Sequence, residues 1–307
     1  MTEILSVSHS RVESFLKCRR KDYYGYELGL TRKDTSPALM YGTASHSVLE
    51  AFYRELVGLP AVDVFNGIED DENWDRAHTA AMAQLEKLEL EGYEDPHNRV
   101  PLRDLIGVYL ENEPFYQYGY EILAVEKAFN LKISDELSYT FVIDLIVRDR
   151  QGRIAVVDHK NVYDFISEEA TRLLPQIPKY IGALRALGLP ADYGIYNQLR
   201  TRKIKAPRLD QQLKVLPVHP TDERIVRTFE EQILVAEEIH ERAQLPMEEK
   251  DHLALRVAND KICGFCDFRT ICAEQLEGGD WEHVRDAFYR QRDQREGVPI
   301  TEDDIED

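Results

Sequence analysis

The sequence predicts an α/β fold in which a mixed β-sheet is covered by helices. Three observations carry this. Apolar residues at helical spacing fill the early part of the chain and return near its end. β-type apolar runs cluster at 121–133, 139–148 and 153–158 and recur at 193–199 and 213–218. A helical stretch at 178–188 separates the two strand groups, so part of the sheet can be antiparallel and part can be crossed over.

In chain order, residues 9–27 read as a helix with Val12, Phe15, Leu16 and Tyr23 on one side. Residues 43–57 read as a second, with Val48, Leu49, Phe52 and Leu56 at helical spacing and Thr43 or Ser45 as its cap. Residues 60–120 form a helical, acidic insert whose clearest helix runs from Trp74 to Leu90. The turn Asp149-Arg150-Gln151-Gly152 joins two strands as a hairpin. The helix at 178–188 is closed by Gly188 and Pro190, and further helices fill 221–244 and 280–292. Residues 1–292 are expected to form a single domain, followed by an acidic, disordered tail at 293–307.

A chain of 307 residues with 43% hydrophobic content can bury a sizeable core. No run approaches the 18 apolar residues of a transmembrane helix, and Met1 to Ser6 lack the pattern of a secretory signal. The expectation is a cytoplasmic protein with no membrane partner. A net charge of −19 argues against a protein that coats nucleic acid without specificity. Base is nevertheless concentrated locally. Lys17, Arg19, Arg20 and Lys21 flank Cys18, and Arg200, Arg202, Lys203, Lys205 and Arg208 follow one another with no acid between them. Such a run is either solvated surface or a phosphate contact.

The four cysteines sit at the two ends of the chain. Cys263, Cys266 and Cys272 have C-x2-C-x5-C spacing, and Cys18 can supply a fourth thiolate. In a reducing compartment such a set is a metal site, free thiols or both, rather than disulfides. Four thiolates suit an iron–sulfur cluster or a structural zinc ion.

A second constellation is carboxylate-based. The apolar run Val142-Ile143-Asp144-Leu145-Ile146 buries an acid, which is costly unless that acid is paired or binds a cation. The next strand ends Val156-Val157-Asp158-His159-Lys160, where Asp158 and Lys160 share a face. If the strands are neighbours, Asp144 and Asp158 converge on one hard cation with Lys160 beside it. The plainer alternative is an ion pair between Asp158 and Lys160.

Asp144 followed fourteen residues later by Asp158-His159-Lys160 resembles the PD-(D/E)XK nuclease signature. The outlying cysteine with C-x2-C-x5-C resembles one branch of it, the RecB-like exonucleases with an iron–sulfur cluster. These are the four-cysteine nucleases of CRISPR systems, their phage relatives and the nuclease domain of AddB. Ser8 to Tyr23 resembles their N-terminal cysteine motif, and Gly42-Thr43-Ala44-Ser45-His46 their glycine–histidine motif. The resemblance spans about residues 6–275 and leaves out the insert and the tail.

This resemblance implies a restriction-endonuclease-like core with a terminal helical region stapled by a 4Fe–4S cluster on Cys18, Cys263, Cys266 and Cys272. It implies a catalytic metal, Mn²⁺ or Mg²⁺, held by His46, Asp144, Asp158 and the carbonyl of His159, with Lys160 as the catalytic lysine. Gln176 and Tyr180 match the family's Gln-x-x-x-Tyr motif, although Pro175 and Pro178 place Gln176 at or just before the helix start. Glu126 stands where the family has an upstream acid, and Glu50 lies one helical turn after His46. Phe141 departs from the family, which often has glycine there. The implied activity is metal-dependent DNA exonuclease action on single strands or ends, with Tyr180 and the Arg200–Arg208 run handling phosphates or bases. The implied partners are DNA, an integrase or helicase, and further copies of the chain. Two alternatives are an end-binding or processing subunit of a larger complex with little activity of its own, and a zinc-stapled structural protein.

Overall fold

The computed structural model describes residues 4–34, 36–60, 72–204 and 209–292. The tail at 293–307, residues 61–71 of the insert, and Lys205 and Arg208 of the basic run lie outside the described residues.

The chain runs β1 (Leu5–Ser8), α1 (His9–Lys17), α2 (Arg19–Asp22), a π-helical turn (Tyr23–Glu27), β2 (Leu30–Arg32), α3 (Pro37–Arg54), α4 (Glu72–Leu90) and α5 (Leu102–Glu111). It continues through β3 (Glu121–Lys132), β4 (Leu137–Arg148), β5 (Ile154–Val162), α6 (Glu168–Thr171), α7 (Gln176–Ala186), β6 (Tyr193–Arg200), α8 (Leu209–Gln212) and β7 (Leu213–Val218). It ends with α9 (Asp222–Ala243), α10 (Met247–Leu253), α11 (Asp260–Gly264), α12 (Arg269–Leu276), α13 (Trp281–Phe288) and β8 (Tyr289–Gln291). The fold is mixed α/β with a central mixed sheet flanked by helices. The sheet has the order β1-β4-β5-β6-β7, with β3 also on β4. The β4–β5 and β6–β7 pairs are antiparallel, and β1–β4 and β5–β6 are parallel.

Two compact units emerge. One comprises 36–128 and 142–229. Its core packs α3, α4 and α5 against the sheet through Phe52, Leu85, Ile106, Leu145, Val157 and Ile195. Antiparallel β4 and β5 are joined by the 149–152 turn, where Asp149 Oδ1 accepts from the N–H groups of Gln151 and Arg153 at 2.9 Å each. Gly152 takes φ 79°, which a side chain would disfavour. The register sets Leu145 opposite Val157, so Asp144 and Asp158 lie side by side across the ladder.

The other unit comprises 1–35, 129–141 and 230–307. One cluster of its core gathers Tyr23, Tyr24, Leu30, Phe268, Ile271 and Tyr289, and Val12, Phe15, Tyr139 and Ile239 are buried in the same unit. β2 and β8 pair antiparallel with Arg32 opposite Tyr289. Phe141 is buried here and stacks on Phe129 at 5.3 Å, which fills the space a family glycine would leave.

Several boundaries differ from the sequence expectation. The helix expected over 9–27 breaks at Cys18, which is extended (φ −167°, ψ 115°) and separates α1 from α2. The helix expected to start at Thr43 or Ser45 starts at Pro37, capped by Ser36, whose hydroxyl accepts from the Leu39 N–H at 3.3 Å. A proline at the first helical position follows that cap, because its missing N–H would have had no partner anyway. The helix expected over 280–292 ends at Phe288 and gives way to β8.

Candidate active site

The acidic site lies in the unit formed by 36–128 and 142–229. Helix α3 brings His46 to the sheet. The imidazole Nε2 lies 3.0 Å from the His159 carbonyl oxygen. Its Nδ1 lies 3.5 Å from Glu126 Oε1 and 3.8 Å from Asp144 Oδ2. His46, Glu126 and Asp144 each offer one ligand atom, and these atoms lie within 4.8 Å of one another. A mixed nitrogen and oxygen donor set of this size fits a divalent cation such as Mn²⁺.

Charge and burial shape the group together. Burial works against the His46 imidazolium, but the Glu126 hydrogen bond and the charges of Asp144, Glu126 and Asp158 outweigh it and raise its pKa to about 9. Burial, reinforced by the Asp158 charge, pushes Asp144 up to about 7, against the His46 charge and the His159 N–H. That N–H donates to Asp144 Oδ2 at 2.7 Å. The imidazolium thus supplies the positive charge these carboxylates need.

Asp158 stands outside this compact set. It is 2% exposed, and its carboxylate pairs with Lys160 Nζ at 2.9 Å. Burial pushes its pKa up and the lysine pulls it back. The Asp158–Lys160 ion pair that the sequence allowed as the plainer alternative is present. Lys160 Nζ also donates to Gln176 Oε1 at 2.5 Å, and Gln176 Nε2 donates to the Tyr180 hydroxyl at 3.0 Å. Gln176 is the first residue of α7, not a residue before it. Pro175 is the cap, and Pro178 falls in the first turn, where no N–H partner is needed. Tyr180 is buried, so its part in the site runs through its hydroxyl rather than an open ring face.

Glu126 was only an upstream acid of uncertain use in the sequence, and its backbone was unreadable there. It has φ 44°, the left-handed region, on a strand. Glu50 accepts from Arg54 Nε at 2.9 Å and is used up on its own helix. Two arginines of the basic run are tied down as well. Arg200 donates to Asp164 at 2.7 Å over the Phe165 ring, and Arg202 reaches the same acid at 3.2 Å. Lys203 is exposed.

The cysteines lie in the unit formed by 1–35, 129–141 and 230–307, and none is in a disulfide. All four line one cavity of about 540 Å³, together with Tyr24 and Arg256. Asn259 caps α11 by accepting from the Lys261 N–H at 2.9 Å, which places Cys263 on that short helix. Cys272 sits on α12, where Arg256 Nε donates to its sulfur at 3.3 Å. Arg256 is held in turn by Gln275 Oε1 at 2.9 Å, which also accepts from Tyr24 at 2.5 Å. Burial pushes the Cys266 thiol up.

The crystal structure of SSO0001 is similar at 13% identity, covering 76% of this chain and 94% of its own, with a TM-score of 0.31. No curated protein matches the chain. The PD-(D/E)XK nuclease superfamily matches over residues 6–273, a stretch that begins in β1 and ends just past Cys272. Because that match takes in the acids of β4 and β5, the lysine beside them and the helix that brings His46, the chain belongs to the PD-(D/E)XK nuclease superfamily.

Proposed function

We propose that this chain is a divalent-metal-dependent DNA exonuclease of the RecB-like branch, acting on single strands or ends and carrying a 4Fe–4S cluster. Superfamily membership implies a metal-dependent nuclease. The observation that carries the finer reading is the convergence of His46, Glu126 and Asp144 within 4.8 Å. His46, Glu126 and Asp144 would hold a cation there, and such a cation would supply polarisation of the scissile phosphate and a lowered pKa for a bound water. The rest of the chemistry belongs to the chain. Asp158 and Gln176 hold the Lys160 ammonium, where it can orient water and stabilise charge on the phosphate oxygens. Tyr180 fixes the Gln176 amide so that its oxygen, not its nitrogen, faces the lysine. Lys203, with Arg200 and Arg202 once Asp164 is displaced, would meet the DNA backbone.

Four free cysteines around one cavity support the cluster. A zinc ion held by the same four sulfurs at about 2.3 Å is the competing occupant.

The test is degradation of end-labelled linear and circular single-stranded DNA by anaerobically purified protein with Mn²⁺, beside Lys160→Ala. Release of nucleotides from linear DNA only, needing metal and lost in the variant, is the expected result. Cutting of circles would replace exonuclease with endonuclease. No cutting by folded, metal-loaded protein would turn the assignment to an end-binding subunit. Iron and acid-labile sulfide in the same preparation are expected, and zinc in their place would overturn the cluster.

A further inference from the structure

Behind the His46 group, the same unit buries a line of polar side chains that the catalytic reading leaves unused. His159 is where the two meet. Its main chain faces the site: the N–H donates to Asp144 Oδ2 at 2.7 Å and the carbonyl meets His46 Nε2 at 3.0 Å. Its ring is buried and stacks on Tyr53 at 5.8 Å and 12°. Tyr53 lies on α3 two turns beyond His46, so the helix that delivers the histidine also covers the ring.

The ring is hydrogen-bonded as well. His159 Nδ1 lies 2.8 Å from Asn197 Nδ2, from the residue directly opposite on β6. The same amide donates to the Tyr109 hydroxyl at 2.8 Å. Tyr109 and Tyr53 share a 2.6 Å hydrogen bond, and Tyr53 donates to Glu113 Oε1 at 2.6 Å. Glu113, fully buried just after α5, also accepts from the Phe115 N–H at 2.7 Å and the Gln117 N–H at 3.0 Å.

Counting hydrogens gives the line a direction. Each tyrosine has one hydroxyl hydrogen. Tyr53 spends its own on Glu113, so Tyr109 must donate to Tyr53 and accept from Asn197. With Glu113 ionised, the second Asn197 N–H then faces His159 Nδ1, which assigns Nδ1 as the acceptor and the ring proton to Nε2. A buried network of this kind is costly to leave unpaired, and in this arrangement His159 Nε2 and Asn197 Oδ1 are the members without a hydrogen-bond partner.

We propose that Glu113, Tyr53, Tyr109 and Asn197 are positioning residues for the metal site. They lock one tautomer and one orientation of His159, and so fix the peptide that touches both His46 and Asp144. This rests on the metal-nuclease reading. The line joins α3, α5, β5 and β6, so it sets the height of His46 over the strands that carry the acids.

The test uses the full chain as Tyr109→Phe and Asn197→Asp. Nitrogen-15 histidine spectra of metal-free protein report the tautomer, calorimetric Mn²⁺ titration reports affinity, and thermal melts report folding. The native His159 ring is expected in the Nε2–H form, and N197D, which puts an acceptor against Nδ1, should lose that form. Both folded variants should bind Mn²⁺ about tenfold or more weakly, the scale seen for partners behind metal ligands. Their kcat should recover at saturating Mn²⁺ with KM for DNA unchanged. A native ring in the Nδ1–H form, or native Mn²⁺ affinity in the variants, would overturn the proposal. If N197D does not fold, Y109F carries the test, since it removes one oxygen and keeps the ring. Native protein that binds no Mn²⁺ would bring down the metal-site reading itself, and the spectra would still show whether the lock exists.

Discussion

Glu126 holds a left-handed backbone, φ 44°, on a strand where extended geometry is the rule. Such a conformation costs on the order of 1–3 kcal/mol and persists where the surroundings enforce it, often at functional sites. Here it aims a carboxylate at His46. Glu126→Gln keeps the backbone demand and removes the charge. It is expected to leave the melting temperature near native while weakening Mn²⁺ binding by roughly tenfold or more, measured by calorimetry. The same cluster predicts a pH dependence. Asp144, at about 7, keeps a proton that the unfolded chain releases near the ordinary 3.8. His46, at about 9, does the same above the ordinary 6.5. In both cases the native state binds more protons, so metal-free stability falls as pH rises, first from about 4 to 7 and then from about 6.5 to 9. A bound cation takes the place of those protons. The Mn²⁺-induced rise in melting temperature should therefore be larger at about pH 8.5 than at about pH 6, and an equal or reversed difference would remove these groups from the metal site.

Elements place these residues, and their packing can be probed without touching the chemistry. Helix α7 lies on β6 so closely that a Cβ on Gly194 would meet Ile177 Cγ2 at 2.2 Å. Ile177 neighbours Gln176, so pushing the helix away moves the amide that holds Lys160. Gly194→Ala is expected to destabilise by about 1–3 kcal/mol, as overpacking does, and to lower kcat. Adding Ile177→Ala should restore much of both. A double variant no better than the single one would mean the loss does not come from this contact. The sequence showed the strands because their Val and Ile runs are long, and it showed the Asp144–Asp158 pairing because the turn between them is short. It also held a usable signal for the start of α3, the Ser36-Pro37 pair, which the apolar spacing further along outweighed. Glu126 was not legible as a strained residue, since φ leaves no mark in composition. The Tyr53–Tyr109–Asn197 line was not legible either, because tyrosines at helical spacing read as core and only the folded register sets Asn197 against His159. The basic run misled in part: no acid interrupts it in sequence, yet Asp164 comes from elsewhere to pair with it.

At the scale of the whole molecule, the unit that holds the cysteines is assembled from three separated stretches, 1–35, 129–141 and 230–307. Its first and last stretches pair through three-residue strands, β2 and β8, far too short and too distant in sequence to be foreseen. A unit built from stretches so far apart in sequence gains from a further tie. The cysteine site offers one, because Cys18 comes from the first stretch and the other three cysteines from the last. Arg20 adds a second link between those stretches, donating to Asp251 at 2.5 Å and to the Ala254 carbonyl at 2.9 Å. Binding energy at a site made only on folding is folding energy, so losing one ligand should loosen this unit first. Cys18→Ser is expected to lose iron and visible absorption. Limited proteolysis should then cut within 19–34 and 254–292 while 72–128 and 142–204 stay protected. Chelation of native protein should reproduce the same digestion pattern. Native iron content and native protection in the variant would show that Cys18 is no ligand, and that contacts such as the β2–β8 pair, Arg20–Asp251 and Glu27–Lys250 hold these stretches without it.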